Sequence, residues 1–236
     1  MKTIAVIQAR MSSSRFPGKV IADLGGLPMV VFMAERVAKA KSVDAVILAT
    51  STEPSDDPLA EVVIAHGLDV FRGPLDDVLG RFAMVQAQTK AQIIVRMTGD
   101  CPLADPEVID DLVALRADQN ADYANNVSPR SFPHGLDCEI FTSQTLALAN
   151  TNARDAYDRE HVTPWMRTGS TSLRTANLRQ SQDFSKLRIT VDHREDLDVV
   201  RAVLAGTHKD ASFSEIATFL KKHPEITAMN AVHQEI

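Results

Sequence analysis

Arg10, Arg15 and Lys19 are interleaved with Ser12, Ser13 and Ser14 in the segment IQARMSSSRFPGK, and the Pro17-Gly18 pair forces a turn just before the lysine. Such a loop carries the groups to wrap a triphosphate in charge-assisted hydrogen bonds, arginine binding as a planar fork and lysine as a point charge. A solvated surface loop has the same composition, so spacing alone leaves both readings open. Neither of the standard glycine-rich phosphate motifs is present: Gly18-Lys19 is followed by Val20, Ser13 stands where a Walker loop has its first glycine, and no G-x-G-x-x-G occurs. A phosphate site here would rest on backbone N–H groups and these cations. Far along the chain, Asp100 ends the apolar run of QIIVRMTGD and Asp192 ends that of LRITVD. Two aspartates, each ending an apolar run, could present a pair of carboxylates on one edge, and a divalent ion such as Mg²⁺ takes a few carboxylate oxygens plus phosphate. Each aspartate also has a plainer use, Asp100 capping a turn before Pro102 and Asp192 capping the helix begun by HREDL, a role compatible with metal binding.

Positioning these groups requires an alternating chain. TIAVIQA reads as a buried strand and PMVVFMAERVAKAKS as an amphipathic helix, followed by the strand DAVILATS, the helix DPLAEVVIAHG closed by Gly67, and the short strand LDVFRG. LDDVLGRFAMVQAQTK is then a helix, QIIVRMTGD a strand, and DPEVIDDLVALRAD a helix with Asp105 as cap and Pro106 in its first turn. This β-α-β-α-β-α-β order predicts an α/β fold, a three-layer, mostly parallel sheet that binds ligands at the carboxyl ends of its strands. The chemistry-bearing clusters fall at those ends: Arg10 to Lys19, Thr50 to Thr52, Arg72, and Asp100. From about 123 to 185 the rhythm gives way to Asn, Pro, Gly and Ser punctuation around short pieces such as CEIF and TSLRTANL, which reads as a small lobe inserted on one 236-residue domain and pairing with a second subunit. LRITVD is expected as a further strand, then REDLDVVRAVLAG and FSEIATFLKKHP as helices.

Composition narrows the class. A net charge of −6 argues against a general nucleic-acid surface, so any anion site is local. No apolar run approaches the roughly 20 residues that span a bilayer, and the short stretch Ile4 to Ile7 followed by charge is not a secretory signal, so no membrane association and a cytoplasmic location are expected. Cys101 and Cys138 are too few for a disulfide scaffold and read as reduced thiols, Cys101 as a packing residue.

The segments IQARMSSSRFPGK, VRMTGDCPLADPEVID and ITVDHREDL, with NNVSPRSFPHGLDCEIF and DREHVTPW, resemble the cytidylyltransferases that make CMP-activated sugar acids, including the CMP-Kdo and CMP-N-acylneuraminate synthetases, and within them the spore-coat polysaccharide biosynthesis protein F branch. The likeness runs from the first strand to about Arg201, and Gln8 stands where the sugar-acid synthetases carry proline. The resemblance implies the nucleotide-diphospho-sugar transferase type of Rossmann-like fold, CTP as substrate, Mg²⁺ as cofactor and a homodimer. By position it puts Ala9, Arg10, Ser14, Arg15 and Lys19 on the nucleotide loop, with Arg15 and Lys19 as the triphosphate cations. Arg72, and Asp77 and Arg81 in the segment 76–81, fall where relatives hold pyrimidine and ribose, and the strand-end residues Thr50 and Gly99 join them. Asp100 and Asp192 become the metal-binding pair.

The 123–185 region is expected to hold the acceptor through Asn125, Arg130, His134, Glu139, Glu160 and His161. Arg130 is the physical choice for an acceptor's anion, and His161 either orients the acceptor, serves as a base, or is structural. The function expected is transfer of CMP from CTP to an acidic sugar or other anionic acceptor, with pyrophosphate released, in surface-glycan precursor synthesis. A glycosyltransferase using a nucleotide-sugar on the same sheet is the nearest rival. It commonly holds its metal through an Asp-x-Asp pair, and TGDCP offers one aspartate. A nucleotide-binding subunit without turnover is the third reading.

Overall fold

The computed structural model describes residues 1–169 and 172–233. In chain order it forms β1 (Thr3–Gln8), a two-stranded ribbon of β2 (Asp23–Leu24) and β3 (Leu27–Pro28), α1 (Met29–Val37), β4 (Ala45–Ser51), α2 (Asp57–Ala65), β5 (Asp69–Gly73), α3 (Val78–Thr89), β6 (Ile93–Thr98) and α4 (Pro106–Asp118). There follow β7 (Tyr123–Asn125), β8 (Glu139–Thr142), α5 (Ser143–Asn152), α6 (Ala156–His161), β9 (Thr175–Asn177), α7 (Arg194–Gly206), α8 (Phe213–Lys222) and α9 (Pro224–Ala228). Seven strands make one sheet in the order β5-β4-β1-β6-β8-β7-β9. The first four run parallel, β8 is antiparallel to both neighbours, and β7 and β9 pair in parallel. The irregular 123–185 region therefore extends the main sheet at one edge, and its helices α5 and α6 pack against α3.

The apolar runs bury both faces of the sheet, as parallel strands do. Ile4 and Val6 point to the layer holding Leu79, Phe82 and Val85 of α3, while Ala5 and Ile7 point to the layer holding Val30, Ala34 and Val37 of α1. Burying each such aliphatic side chain contributes roughly 1.5–3 kcal/mol, so packing on two sides, more than strand propensity, fixes the central strands. Asp105 caps α4 by accepting from the N–H groups of Glu107 and Val108, with Pro106 at the first position. Gly67 takes a left-handed φ of 74° just past α2.

One expected strand is absent. Among the described residues LRITVD shares only a single bridge, His134 with Arg188. Its backbone groups are spent elsewhere: the Ile189 and Thr190 N–H groups both donate to the His134 carbonyl and the Val191 N–H donates to the Asp100 carbonyl at 2.8 Å, which leaves no ladder to propagate. The helix that follows starts at Arg194 with His193 at the cap position, so Asp192 is not its cap. Asp196 instead accepts the N–H groups of Asp192 and His193, both at 2.9 Å.

The close seating of this segment depends on Gly135. It has φ +116°, and an added Cβ would lie 2.4 Å from the Thr190 nitrogen and 2.5 Å from the Ile189 carbonyl carbon. Gly135→Ala combines a strained backbone with an overpacked contact and is expected to cost about 2–4 kcal/mol, read as a fall in the urea midpoint. A midpoint equal to the parent's would contradict the close approach.

Candidate active site

Beyond β1 the chain must turn from the buried sheet to solvent and back. The turn is pinned from beneath by Asp56, which is fully buried: one carboxylate oxygen accepts the Met11 N–H at 2.7 Å and the other the Ser51 hydroxyl. Phe16, buried and stacked under the Arg194 guanidinium at 4.8 Å, anchors the far side of the loop. Gly18 then adopts φ 74°, a conformation that costs a side-chain-bearing residue energy, and this swings Lys19 inward. Arg10 and Ser14 remain exposed at the rim.

Lys19 is the centre of the arrangement. Its ammonium donates to the Val191 carbonyl at 2.6 Å and to Asp192 Oδ1 at 2.9 Å, and it lies 3.8 Å from Asp100 Oδ2. The Arg15 guanidinium also reaches Asp192 Oδ1, at 2.9 Å. Burial by itself would raise the Asp192 pKa, but Lys19, Arg15 and Arg188 outweigh it and hold the carboxyl below the usual range. Two acidic groups 92 positions apart thus share one cation at the end of the parallel strands. Their spacing is set locally, because the Asp100 carbonyl accepts both the Val191 N–H and, at 3.0 Å, the Thr190 hydroxyl. The set fits a divalent ion: two carboxylates converge on a point that a cation already occupies, and Asp100 keeps partial exposure to the cleft.

These groups line a cleft of about 360 Å³ together with Ala9, Arg10, Ser14, Arg81, Gly99, Glu160 and His161. Its floor is tight, for a Cβ added to Gly99 would meet the Ala9 Cβ at 2.8 Å. Arg10 and Glu160 face each other across the mouth at 3.5 Å. Arg81 is buried, with its donors on the carbonyls of Ala49, Pro74 and Leu75, so it shapes the wall of the cleft and holds the 74–75 turn.

Three residues expected on the nucleotide lie outside this cleft. Thr50 is fully buried in the sheet. Arg72 spends its guanidinium on the carbonyls of Ser51 and Glu53 and on Asp57. Asp77 caps α3 through the Gly80 N–H and pairs with Arg159 at 2.6 Å.

The acceptor candidates divide. Glu160 and His161, on α6, reach the cleft, and the His161 ring lies 4.4 Å from that of Tyr157. Arg130 and Glu139 line a second cavity of about 270 Å³ that shares Arg96 and Thr98 with the first and also contains Asp137 and Arg167. Arg130 is no bare anion receptor, since it is forked onto Asp137 with one contact at 2.8 Å, and Glu139 is tied to Arg96 and the Tyr123 hydroxyl. Asn125 is buried, its side-chain oxygen accepting the N–H groups of Val127 and Ser128. His134 contacts the Arg188 guanidinium at 3.2 Å. Both cysteines are buried and free, and burial pushes their thiols well up, which agrees with a packing role.

Sequence reasoning passed over Arg96, Thr98, Arg188 and Asp196. Arg188 holds Asp192 Oδ2 at 3.0 Å and is itself gripped by Asp196 at 2.9 and 3.0 Å. Asp196 is fully buried. Burial would raise its pKa, but hydrogen bonds from Arg188, the two N–H groups at the start of α7 and Asn230 bring it down to about 2. The signal was present in HREDL, which puts a carboxylate at the third helical position.

Comparison with known proteins bears on the family. The family profile described as Cytidylyltransferase matches residues 4–201. The chain is 34% identical over 229 residues to the spore coat polysaccharide biosynthesis protein SpsF of Bacillus subtilis, covering 93% of this chain and 94% of that protein. It is 30% identical over 225 residues to the 3-deoxy-manno-octulosonate cytidylyltransferase of Mesorhizobium japonicum, covering 89% and 90%. Among solved structures, a cytidylyltransferase from Leptospira borgpetersenii superposes with a TM-score of 0.92 at 33% identity, covering 96% of this chain and 97% of that one. Among the described residues no helix is long and apolar enough to cross a membrane.

Proposed function

The chain belongs to the cytidylyltransferase family of CTP-dependent nucleotidyltransferases, and from that premise we propose that it joins CMP from CTP to a small anionic acceptor, an acidic sugar or a phosphonate, in the making of a surface-polysaccharide precursor. The observation that carries the site reading is the single cleft in which Lys19 touches Asp192 and approaches Asp100 beside the cationic turn. Asp100 and Asp192 are the residues that would hold Mg²⁺. Bound there, the ion would neutralise charge on the departing pyrophosphate.

Arg10, Arg15 and Lys19 bind and orient the triphosphate, with Ser14 at the rim, while the tight Ala9–Gly99 floor fixes how deep the nucleotide can sit. An acceptor oxygen attacks the α-phosphorus, a new P–O bond forms, and the bond to the β-phosphate oxygen breaks. The protein contributes position and charge more than covalent chemistry. The acceptor enters from the side of Glu160, His161 and the adjoining cavity of Arg96, Arg130 and Arg167. Assembly as a homodimer through the 123–185 region and residence in the cytoplasm belong to the same proposal.

Incubating the protein with CTP, Mg²⁺ and a panel of sugar acids, phosphonates and neutral sugars tests it by mass detection of a CMP conjugate alongside pyrophosphate release. An acidic member of the panel should react. Release with neutral sugars and none with acidic ones would overturn the acceptor class.

A further inference from the structure

We propose that Asn230, on the turn that follows α9, is a positioning residue for the metal-binding reading of Asp192, acting through Asp196 and Arg188. The inference rests on that reading of Asp192. Asn230 is 1% exposed, and its amide donates to Asp196 Oδ1 at 2.8 Å and to the Arg188 carbonyl at 3.3 Å. Asp196 in turn grips both the Arg188 guanidinium and, through Oδ2, the backbone N–H of Asp192 at 2.9 Å. One guanidinium nitrogen, NH2, is left to bond both Asp196 Oδ2 and Asp192 Oδ2, each at 3.0 Å.

The consequence is geometric. Asp192 is held by its main chain and by one carboxylate oxygen, so Oδ1 is the oxygen turned to Lys19, Arg15 and the cleft. The Asp196–Arg188 pair is neutral as a unit, which lets it lie buried behind the site without adding net charge. Free rotation of Asp192 would cost a metal ligand its aim, and outer partners of this kind typically set 10- to 100-fold of metal affinity. Among the described residues, no other hydrogen bond of the side chain accounts for an amide buried at 230.

Calorimetric titration of CTP into the full chain, with and without saturating Mg²⁺, tests this without knowledge of the acceptor. In Asn230→Ala the gain in CTP affinity conferred by Mg²⁺ should shrink by about 10- to 100-fold, while metal-free CTP affinity stays at the parental value. A merely structural role would instead lower the thermal midpoint and weaken both titrations together, and that result overturns the proposal. So does an undiminished Mg²⁺ gain in Asn230→Ala when Asp192→Asn abolishes it. Should Asp192→Asn itself retain the gain, the reading of Asp192 falls, which is a separate outcome. If Asn230→Ala does not fold, Asn230→Leu, which keeps the volume and removes the donor, carries the same comparison.

Discussion

Replacing Asp192 with asparagine is expected to abolish the Mg²⁺-dependent gain in CTP affinity and to lower turnover on the order of 10³-fold, because a metal's stabilisation of a developing phosphate charge is worth several kcal/mol. The sign of its effect without metal is the more telling half. Asp192 Oδ1 draws Arg15 and Lys19 to itself, both at 2.9 Å. An asparagine there releases two cations to the triphosphate, so metal-free CTP affinity should stay level or rise. A carboxylate that served only to fold the loop would give the opposite result, a loss in both titrations. Asp100→Asn should reproduce the loss of the Mg²⁺ gain with little change in stability, since Asp100 is partly exposed and its ion-pair contact among the described residues is the long 3.8 Å approach of Lys19. Equal CTP affinities with and without Mg²⁺ in the parent protein would remove the basis for both expectations.

Lys19→Met should behave differently. Its side chain is 9% exposed, and the ammonium touches the Val191 carbonyl as well as Asp192. Breaking a buried pair from one side costs roughly 3–5 kcal/mol, but Asp192 keeps Arg15 and Arg188, which reduces the stability loss to about 1–3 kcal/mol. The loss in ligand binding is larger in its consequences. A charged hydrogen bond to phosphate contributes about 1.5–3 kcal/mol, so CTP affinity should fall about 10- to 150-fold whether or not Mg²⁺ is present. Thermal denaturation and calorimetry on the same sample separate the two effects. A variant that binds CTP as the parent does would show that Lys19 is a folding residue alone.

The parts of this molecule that repeat a simple period were legible before any coordinates. β1, β4 and β6 are predominantly apolar runs, and α2 and α4 carry ends that their sequences announce, Gly67 and Asp105-Pro106. The meeting of the loop with Asp100 followed from the end of β6, and its meeting with Asp192 from the resemblance alone. What was not legible depends on contacts between distant segments. LRITVD looks like a strand, and only the demand of the His134 and Asp100 carbonyls for its N–H groups keeps it out of the sheet. The resemblance put Arg72 and Arg81 at the base or ribose by position, a role in which a guanidinium acts through free N–H donors. Whether its donors are already committed to backbone carbonyls is a property of the fold, and here they are. The pairing of Arg130 with Asp137, seven residues later, was equally hidden, although Arg130 does line the second cavity.

The staple from the Asp100 carbonyl to Thr190 and Val191 bears on how such a protein can diversify. Between the two carboxylates the chain runs through more than ninety residues, yet Asp100 and the segment leading into Asp192 are joined directly at a single backbone oxygen. On the proposed reading of the 123–185 region as the acceptor side, changes there that spare the His134–Gly135 turn and Arg188 would alter which molecule receives the nucleotide while this joint stays in place. Selectivity would then drift along a lineage without the reaction centre being rebuilt.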